Sequence, residues 1–258
     1  MDPLLIERRD ALAVLTLNRP DKHNALSLDL LRRLSAALDA LGEDAGVRCV
    51  VLRGNDRCFS TGMDLADLAG VSAVAETQRA LSVFRDANAA VERCPKPVIA
   101  AIAGWCLTGG LELALACDVR VAAQSARFGI TSARIGTVAG AGGTQRLPRL
   151  IGPGRAKEML FSAEPIDAAE ALRIGLVNRV APAGAEVAAA IEMARLYATR
   201  APLGLWFAKM AVNVGMTMPL EAALAFEAGL TTQLFGTEDR AEGLRAFQQK
   251  READFRGR

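Results

Sequence analysis

Apolar positions change their period along the chain, and each period predicts an element. Residues 4–8 and 12–17 are short apolar runs that read as paired strands, broken by Asn18-Arg19-Pro20-Asp21. Leu28, Leu31, Leu34, Leu38 and Leu41 then recur at helical spacing, the stripe of an amphipathic helix, with Ser27 placed to cap it. Residues 47–52 read as a buried strand ended by Gly54-Asn55. An Ala-rich helix spans about 75–93, stopped by Pro95 and Pro97, and residues 98–103 give the next strand. Strand patterns return at 118–122 and 177–180. This alternation predicts an α/β core.

After Ala181-Pro182 the pattern becomes helical, over 185–199, 202–214, 219–235 and 237–255. Pro202 and Pro219 suit first-turn positions, and Thr237 can cap a helix whose first turn carries Glu238 and Asp239. The expected division is a core at residues 1–200 and a helical region at 201–258. No short repeat is visible in the letters.

Composition narrows the class. The chain has 258 residues, 51% apolar and 23% charged, which fits a globular protein rather than a disordered one. A net charge of +2, with basic residues interleaved among acidic ones as in Glu7-Arg8-Arg9-Asp10, argues against a nucleic-acid partner. Cys49, Cys58, Cys94, Cys106 and Cys117 contain no CxxC pair, so they read as reduced core residues, not a disulfide framework or zinc site. The amino terminus lacks a basic region before a long apolar run, so no signal peptide is expected and the chain reads as cytoplasmic. The apolar stretch 97–116 is interrupted by Gly104, Gly109, Gly110 and Glu112, which predicts strand, turn and helix rather than a membrane span.

Three glycine-bearing loops, at 59–65, 104–112 and 136–144, are the candidates for chemistry. Glycine after a strand lets a ligand approach the backbone, and a helix that opens there offers free N–H groups to negative charge. Taken singly, each such loop is an ordinary tight turn. None has the dinucleotide pattern G-x-G-x-x-G or a G-K-[ST] ending. G-x-S-x-G is absent and His23 is the only histidine, which argues against a serine esterase triad. Nothing calls for a metal, a flavin or a nicotinamide.

Together the loops resemble the enoyl-CoA hydratase/isomerase (crotonase) superfamily. The match runs through Asn18-Arg19-Pro20, Asn24-Ala25-Leu26, Phe59-Ser60-Thr61-Gly62-Met63-Asp64-Leu65 and Lys96-Pro97-Val98. It continues through Gly109-Gly110-Leu111-Glu112-Leu113, Cys117-Asp118, Gly140-Ala141-Gly142-Gly143-Thr144-Gln145-Arg146 and Glu242-Gly243 to Lys250-Arg251. The resemblance implies a spiral of β-β-α turns followed by a helical trimerisation region. It implies a homotrimer or dimer of trimers, and an acyl-CoA thioester as partner, with coenzyme A entering only as part of the substrate. It also implies an oxyanion hole made by the N–H groups of Met63 and Gly109. Amide donors fixed beforehand stabilise the enolate charge that forms on a thioester oxygen.

By the same resemblance, coenzyme A would meet the chain around Lys22, Asn24 and Ala25, around Ser60, Gly62, Asp64 and Leu65, and at Phe247 and Lys250 of the tail. The acyl end would meet Leu68, Val71, Phe84, Trp105, Val138 and Ala139. Glu112 falls on one of the two glutamates that hydratases of this family use as acid and base. The second falls on Ser132, and no Asp or Glu occurs between Asp118 and Glu158. A serine hydroxyl is no base near neutral pH without help. The expected activity is hydration of a 2-enoyl-CoA by Glu112, with water held by Glu112 and Ser132. Two alternatives stay open: a double-bond isomerase with one carboxylate, and a non-catalytic acyl-CoA binder.

Overall fold

The hairpin of β1 (Leu4–Arg9) and β2 (Leu12–Leu17) turns at Asp10, whose φ of 54° lets the chain reverse. β1 is an exposed edge while β2 is buried, because β2 pairs again on its far side. The leucine stripe forms α1 (Leu28–Glu43), capped by the Ser27 side chain, which accepts from Leu30 N at 3.2 Å. In this computed structural model, residues 2–68 and 73–258 are described, apart from the side chain of Leu68. Val71 therefore lies outside the described residues.

Three successive turns of one spiral follow. β3 (Cys49–Arg53) lies parallel to β2, β4 (Cys58–Ser60) leaves for a second sheet, and α2 (Val74–Arg93) carries the chain back. β5 (Val98–Ile102) then pairs with β3, β6 (Trp105–Leu107) pairs with β4, and α3 (Gly109–Ala116) returns. β7 (Val119–Ala123) pairs with β5 and β8 (Arg127–Gly129) with β6, before α4 (Gly143–Ile151) and α5 (Pro153–Ser162). β9 (Ile166–Asp167) closes the second sheet, and α6 (Ala168–Arg173) leads to β10 (Arg179–Ala181) beside β7. The sheets read β1-β2-β3-β5-β7-β10 and β4-β6-β8-β9. The corner between β5 and β6 requires Gly104, whose φ is 58° and whose missing Cβ would lie 1.8 Å from Arg57 O.

The larger sheet is covered on both faces, which is why β3 and β5 are continuous apolar runs rather than alternating ones. One face packs on the leucines of α1 together with Phe84, Ala87 and Val91 of α2. The other face, with Val14, Val51, Ile99 and Val121, packs on Ala190, Ile191 and Ala194 of α7 (Glu186–Ala198). All five cysteines are buried.

α8 (Pro202–Gly215) and α9 (Leu220–Leu234) pack on each other and leave Val212, Met216, Leu220 and Leu224 exposed. Pro202 opens its helix as expected, whereas Pro219 is the residue before the first turn of α9. The last helix is shorter than its sequence pattern. α10 (Glu238–Gln249) ends where Lys250 turns left-handed, and the tail folds back. The Glu242 carboxylate takes Asp254 N at 3.2 Å, a donor the longer helix would have used, and the Asp239 carboxylate holds the tail through Arg256 N at 2.7 Å and Gly257 N at 2.8 Å. No described helix is long and apolar enough to cross a membrane.

Candidate active site

Each spiral turn brings one glycine-bearing loop to the same end of α3. Gly62 has a φ of 102°, which only glycine adopts readily, and it turns the chain so that Met63 lies beside Gly109. A Cβ built on Gly109 would stand 3.3 Å from Met63 N and 3.4 Å from Phe84 Cε1. Among the described residues, neither Met63 N nor Gly109 N donates to a loop carbonyl or a side chain. Two free amide donors therefore stand together at the amino end of α3, where the helix dipole favours negative charge.

The residue before Gly109 is strained. Thr108 has φ 43° and ψ −110°, an unfavourable conformation for a β-branched side chain. Its hydroxyl accepts from Thr131 N at 3.1 Å and pairs with the Thr131 hydroxyl at 3.0 Å, and Thr108 N donates to Gly129 O at 2.8 Å. These bonds hold the strained peptide and bind the third spiral turn to the second. They also bring Ser132, the neighbour of Thr131, to this end of α3. Ser132 is 5% exposed and opens a short 3-10 turn, Ser132–Ile135.

Glu112 lies in the first turn of α3, 3% exposed. Its Oε1 accepts from Ala141 N at 2.8 Å and Gly143 N at 2.7 Å. Oε2 has no hydrogen-bond partner among the described residues and reaches accessible space. Burial pushes the carboxyl above the ordinary carboxylate range, and the two N–H groups and Arg146 only partly offset this. Gly143 must be glycine, because a Cβ there would meet Ile130 Cδ1 at 2.8 Å, Ala139 Cβ at 2.9 Å and Glu112 Cγ at 3.1 Å. At the far end of α3 the buried Arg120 donates to Cys117 O at 2.7 Å, so carbonyls at its carboxyl end are satisfied.

Met63, Phe84, Gly109, Glu112 and Ala139 are thus brought together. Around them, coenzyme A is expected to meet the backbone near Lys22, Asn24 and Ala25 and over residues 60–65, and several side chains there are committed to the fold. Asn24 is fully buried, accepting from Arg19 N at 2.9 Å and donating to Cys58 O at 2.9 Å. Ser60 Oγ accepts from Gly62 N, and Asp64 pairs with Arg19 at 2.7 Å. Ala25 O accepts from Arg19 Nη1. A ligand would meet backbone there, with Lys22 and Leu65 exposed nearby. Trp105 and Val138 are 44% and 66% exposed, unlike buried Phe84. Phe247 and Lys250 stand in solvent, without a hydrogen bond to these loops among the described residues. Arg134 is a surface residue paired with Glu164 at 2.8 Å.

Sequence reasoning missed the supports. Thr108 and Thr131 carried no visible signal. Asn88 and Glu92 did, being four residues apart and so on one face of α2, but their partners are more than fifty positions away.

Residues 7–258 match the family model described as enoyl-CoA hydratase/isomerase. The chain is 41% identical to 2,3-dehydroadipyl-CoA hydratase of Escherichia coli, with 100% of both chains covered. It is 39% identical to crotonyl-CoA hydratase of Syntrophomonas wolfei, covering 98% of this chain and 97% of that one. The crystal structure of an enoyl-CoA hydratase from Bacillus anthracis superimposes with a TM-score of 0.96 at 40% identity, with 100% of each chain covered. The expected crotonase-type spiral is therefore the fold of this protein, and the chain belongs to the enoyl-CoA hydratase/isomerase family.

Proposed function

We propose that this protein is an enoyl-CoA hydratase that adds water across the double bond of a 2-enoyl-CoA, with Glu112 as its acid/base. The observation that carries the reading is the Glu112 carboxyl itself. It is buried, oriented through one oxygen by two N–H groups, free at the other, and raised in pKa by burial. A raised carboxyl can take up and release a proton closer to neutral pH.

The thioester oxygen sits between Met63 N and Gly109 N, which stabilise the charge that builds there. Glu112 Oε2 takes a proton from water as the hydroxide adds to C3. The same proton then passes from Oε2 to C2, so one water is consumed and the carboxylate returns. One carboxylate can run this cycle, with the Ser132 hydroxyl helping to hold the water. No cofactor is needed beyond the coenzyme A of the substrate. The backbone near Lys22, Ala25 and Leu65 would receive coenzyme A, with Phe247 and Lys250 as further contacts. Trp105 and Val138 would meet the acyl end beside Phe84 and Ala139. The apolar side chains left exposed on α8 and α9 support residues 201–258 as the region that assembles a homotrimer.

Ser132 favours a second reading. With no second carboxylate, Glu112 could carry one proton between C2 and C4 of a 3-enoyl-CoA and move the double bond. Turnover of crotonyl-CoA and of a 3-enoyl-CoA by wild type, Glu112→Gln and Ser132→Glu separates the readings. Hydration abolished by Glu112→Gln supports the hydratase, and isomerisation alone supports the second reading. No turnover of either, with tight binding of the thioesters, would make the protein a binder.

A further inference from the structure

We propose that Arg146 is a positioning residue for Glu112, acting through the carbonyl of Ala141, with Asn88 and Glu92 completing the clamp. The proposal rests on Glu112 being the acid/base. Ala141 is the pivot. Its N–H donates to Glu112 Oε1 at 2.8 Å, while its carbonyl accepts from Asn88 Nδ2 at 2.9 Å and from Arg146 Nη1 at 3.0 Å. The N–H and the carbonyl belong to successive peptide planes that meet at the Ala141 Cα, so holding the carbonyl as well as the N–H fixes both planes and leaves φ and ψ of this residue little freedom.

The guanidinium suits this work because it is a planar fork. Arg146 Nε and Nη2 bind both oxygens of Glu92, at 2.6 and 2.9 Å, which leaves Nη1 for Ala141 O. Asn88 is 2% exposed, one helical turn before Glu92 on the same face of α2. Gly142 provides the seat. Its φ is 115°, and a Cβ there would lie 1.8 Å from Arg146 Nη1. The turn 140–143 is thus gripped from both sides, by Glu112 within and by Arg146 without.

α3 packs against α2, α4, β4 and β6. The charged group these elements bring to act on Glu112 is Arg146, with Glu92 paired to it. The strands bring only Cys58 and Cys106, whose thiols burial keeps protonated.

The test compares wild type, Arg146→Lys, Arg146→Met, Glu92→Gln and Glu112→Gln in crotonyl-CoA hydration. In parallel, an infrared pH titration follows the Glu112 carboxyl, whose band is the one missing in Glu112→Gln. Arg146→Met is expected to lower kcat about 100-fold, as for a sub-ångström to ångström misplacement of a catalytic group. KM is expected to stay within about threefold. The Glu112 titration should move to higher pH, because a cation has been removed. Arg146→Lys keeps the charge but loses the fork, so kcat should fall while the titration moves less. Should Arg146→Met not fold, Arg146→Lys and Glu92→Gln carry the kcat test. Wild-type kcat in these variants, with an unmoved Glu112 titration and only a lower Tm, overturns the proposal and leaves a plain brace between α2 and α4. If wild type does not turn over, or Glu112→Gln is fully active, the functional reading fails instead. The infrared titration then decides the clamp alone, an upward move in Arg146→Met supporting it and no move overturning it.

Discussion

Lys209 of α8 reaches across to the core and gives its ammonium to Asp118 Oδ2 at 2.9 Å, at the carboxyl end of α3. The same Nζ donates to Val91 O at 3.0 Å, and Asp118 Oδ2 also accepts from Val98 N at 2.7 Å. This contact fastens the helical region to the spiral. Burial raises the Asp118 carboxyl, and Lys209 offsets only part of that rise. A carboxyl raised in the folded state costs stability as pH rises through its folded value. Lys209→Met should remove the offset and cost about 3 kcal/mol near neutral pH. The loss should shrink as pH falls through the folded value of Asp118 towards about pH 4, because the protonated carboxyl no longer needs the ammonium. Urea unfolding of both proteins at the two pH values measures this, and an equal loss at both would contradict it.

Glu112 should carry a stability cost of the same sign. Its folded carboxyl is raised by burial, so between its unfolded and folded values the folded state binds more protons, and stability falls as pH rises through that window. Glu112→Gln keeps an oxygen for Ala141 N and Gly143 N but does not titrate. Its Tm should exceed that of wild type at neutral pH, and the gap should close towards about pH 4. Calorimetric scans across that range would show a gap independent of pH if the carboxyl were not raised.

Ser132→Glu should restore a second carboxylate beside the first. Hydration of crotonyl-CoA should rise roughly tenfold or more, in keeping with the usual contribution of a positioned acid or base. A fall in hydration with retained isomerisation of a 3-enoyl-CoA would instead show that the serine suits the isomerase reading.

Gly110→Ala tests the seating of α3. A Cβ at Gly110 would lie 2.4 Å from Ser60 O and 2.9 Å from Ser60 C, so backbone must move. The displacement separates Gly109 N from Met63 N, three residues beyond Ser60. The expected result is native-like circular dichroism with kcat reduced about 100-fold. Unchanged kcat would show that the two donors do not act as a pair.

Much of the fold was legible because its signals are local. The leucine stripe, the Ser27 cap and the helix stops at Pro95 and Pro97 all act within a turn or two of chain. Glu112 in a first turn after two glycines was legible for the same reason. The spiral was legible only through the family resemblance and not from periodicity, since β4, β6 and β8 have three residues each, too few to show a period, and the turns share geometry rather than letters. The end of α10 was misread because Lys250 turns left-handed and the Glu242 carboxylate takes Asp254 N, twelve residues away. The Ala141 clamp was invisible because it joins residues 53 and 54 positions apart.

The strained Thr108 makes the amino end of α3 dependent on a neighbour. Its backbone is disfavoured by itself, and the bonds that hold it come from Thr131, on the turn that also carries Ser132. Any change at 131 or 132 that shifts this turn is therefore felt at Gly109 as well. The part of the site proposed to grip the thioester and the part that departs from the family's acid/base pair form one mechanical unit. Variation in this protein's chemistry is to be sought in paired exchanges at 108, 131 and 132, which a survey of single substitutions would overlook.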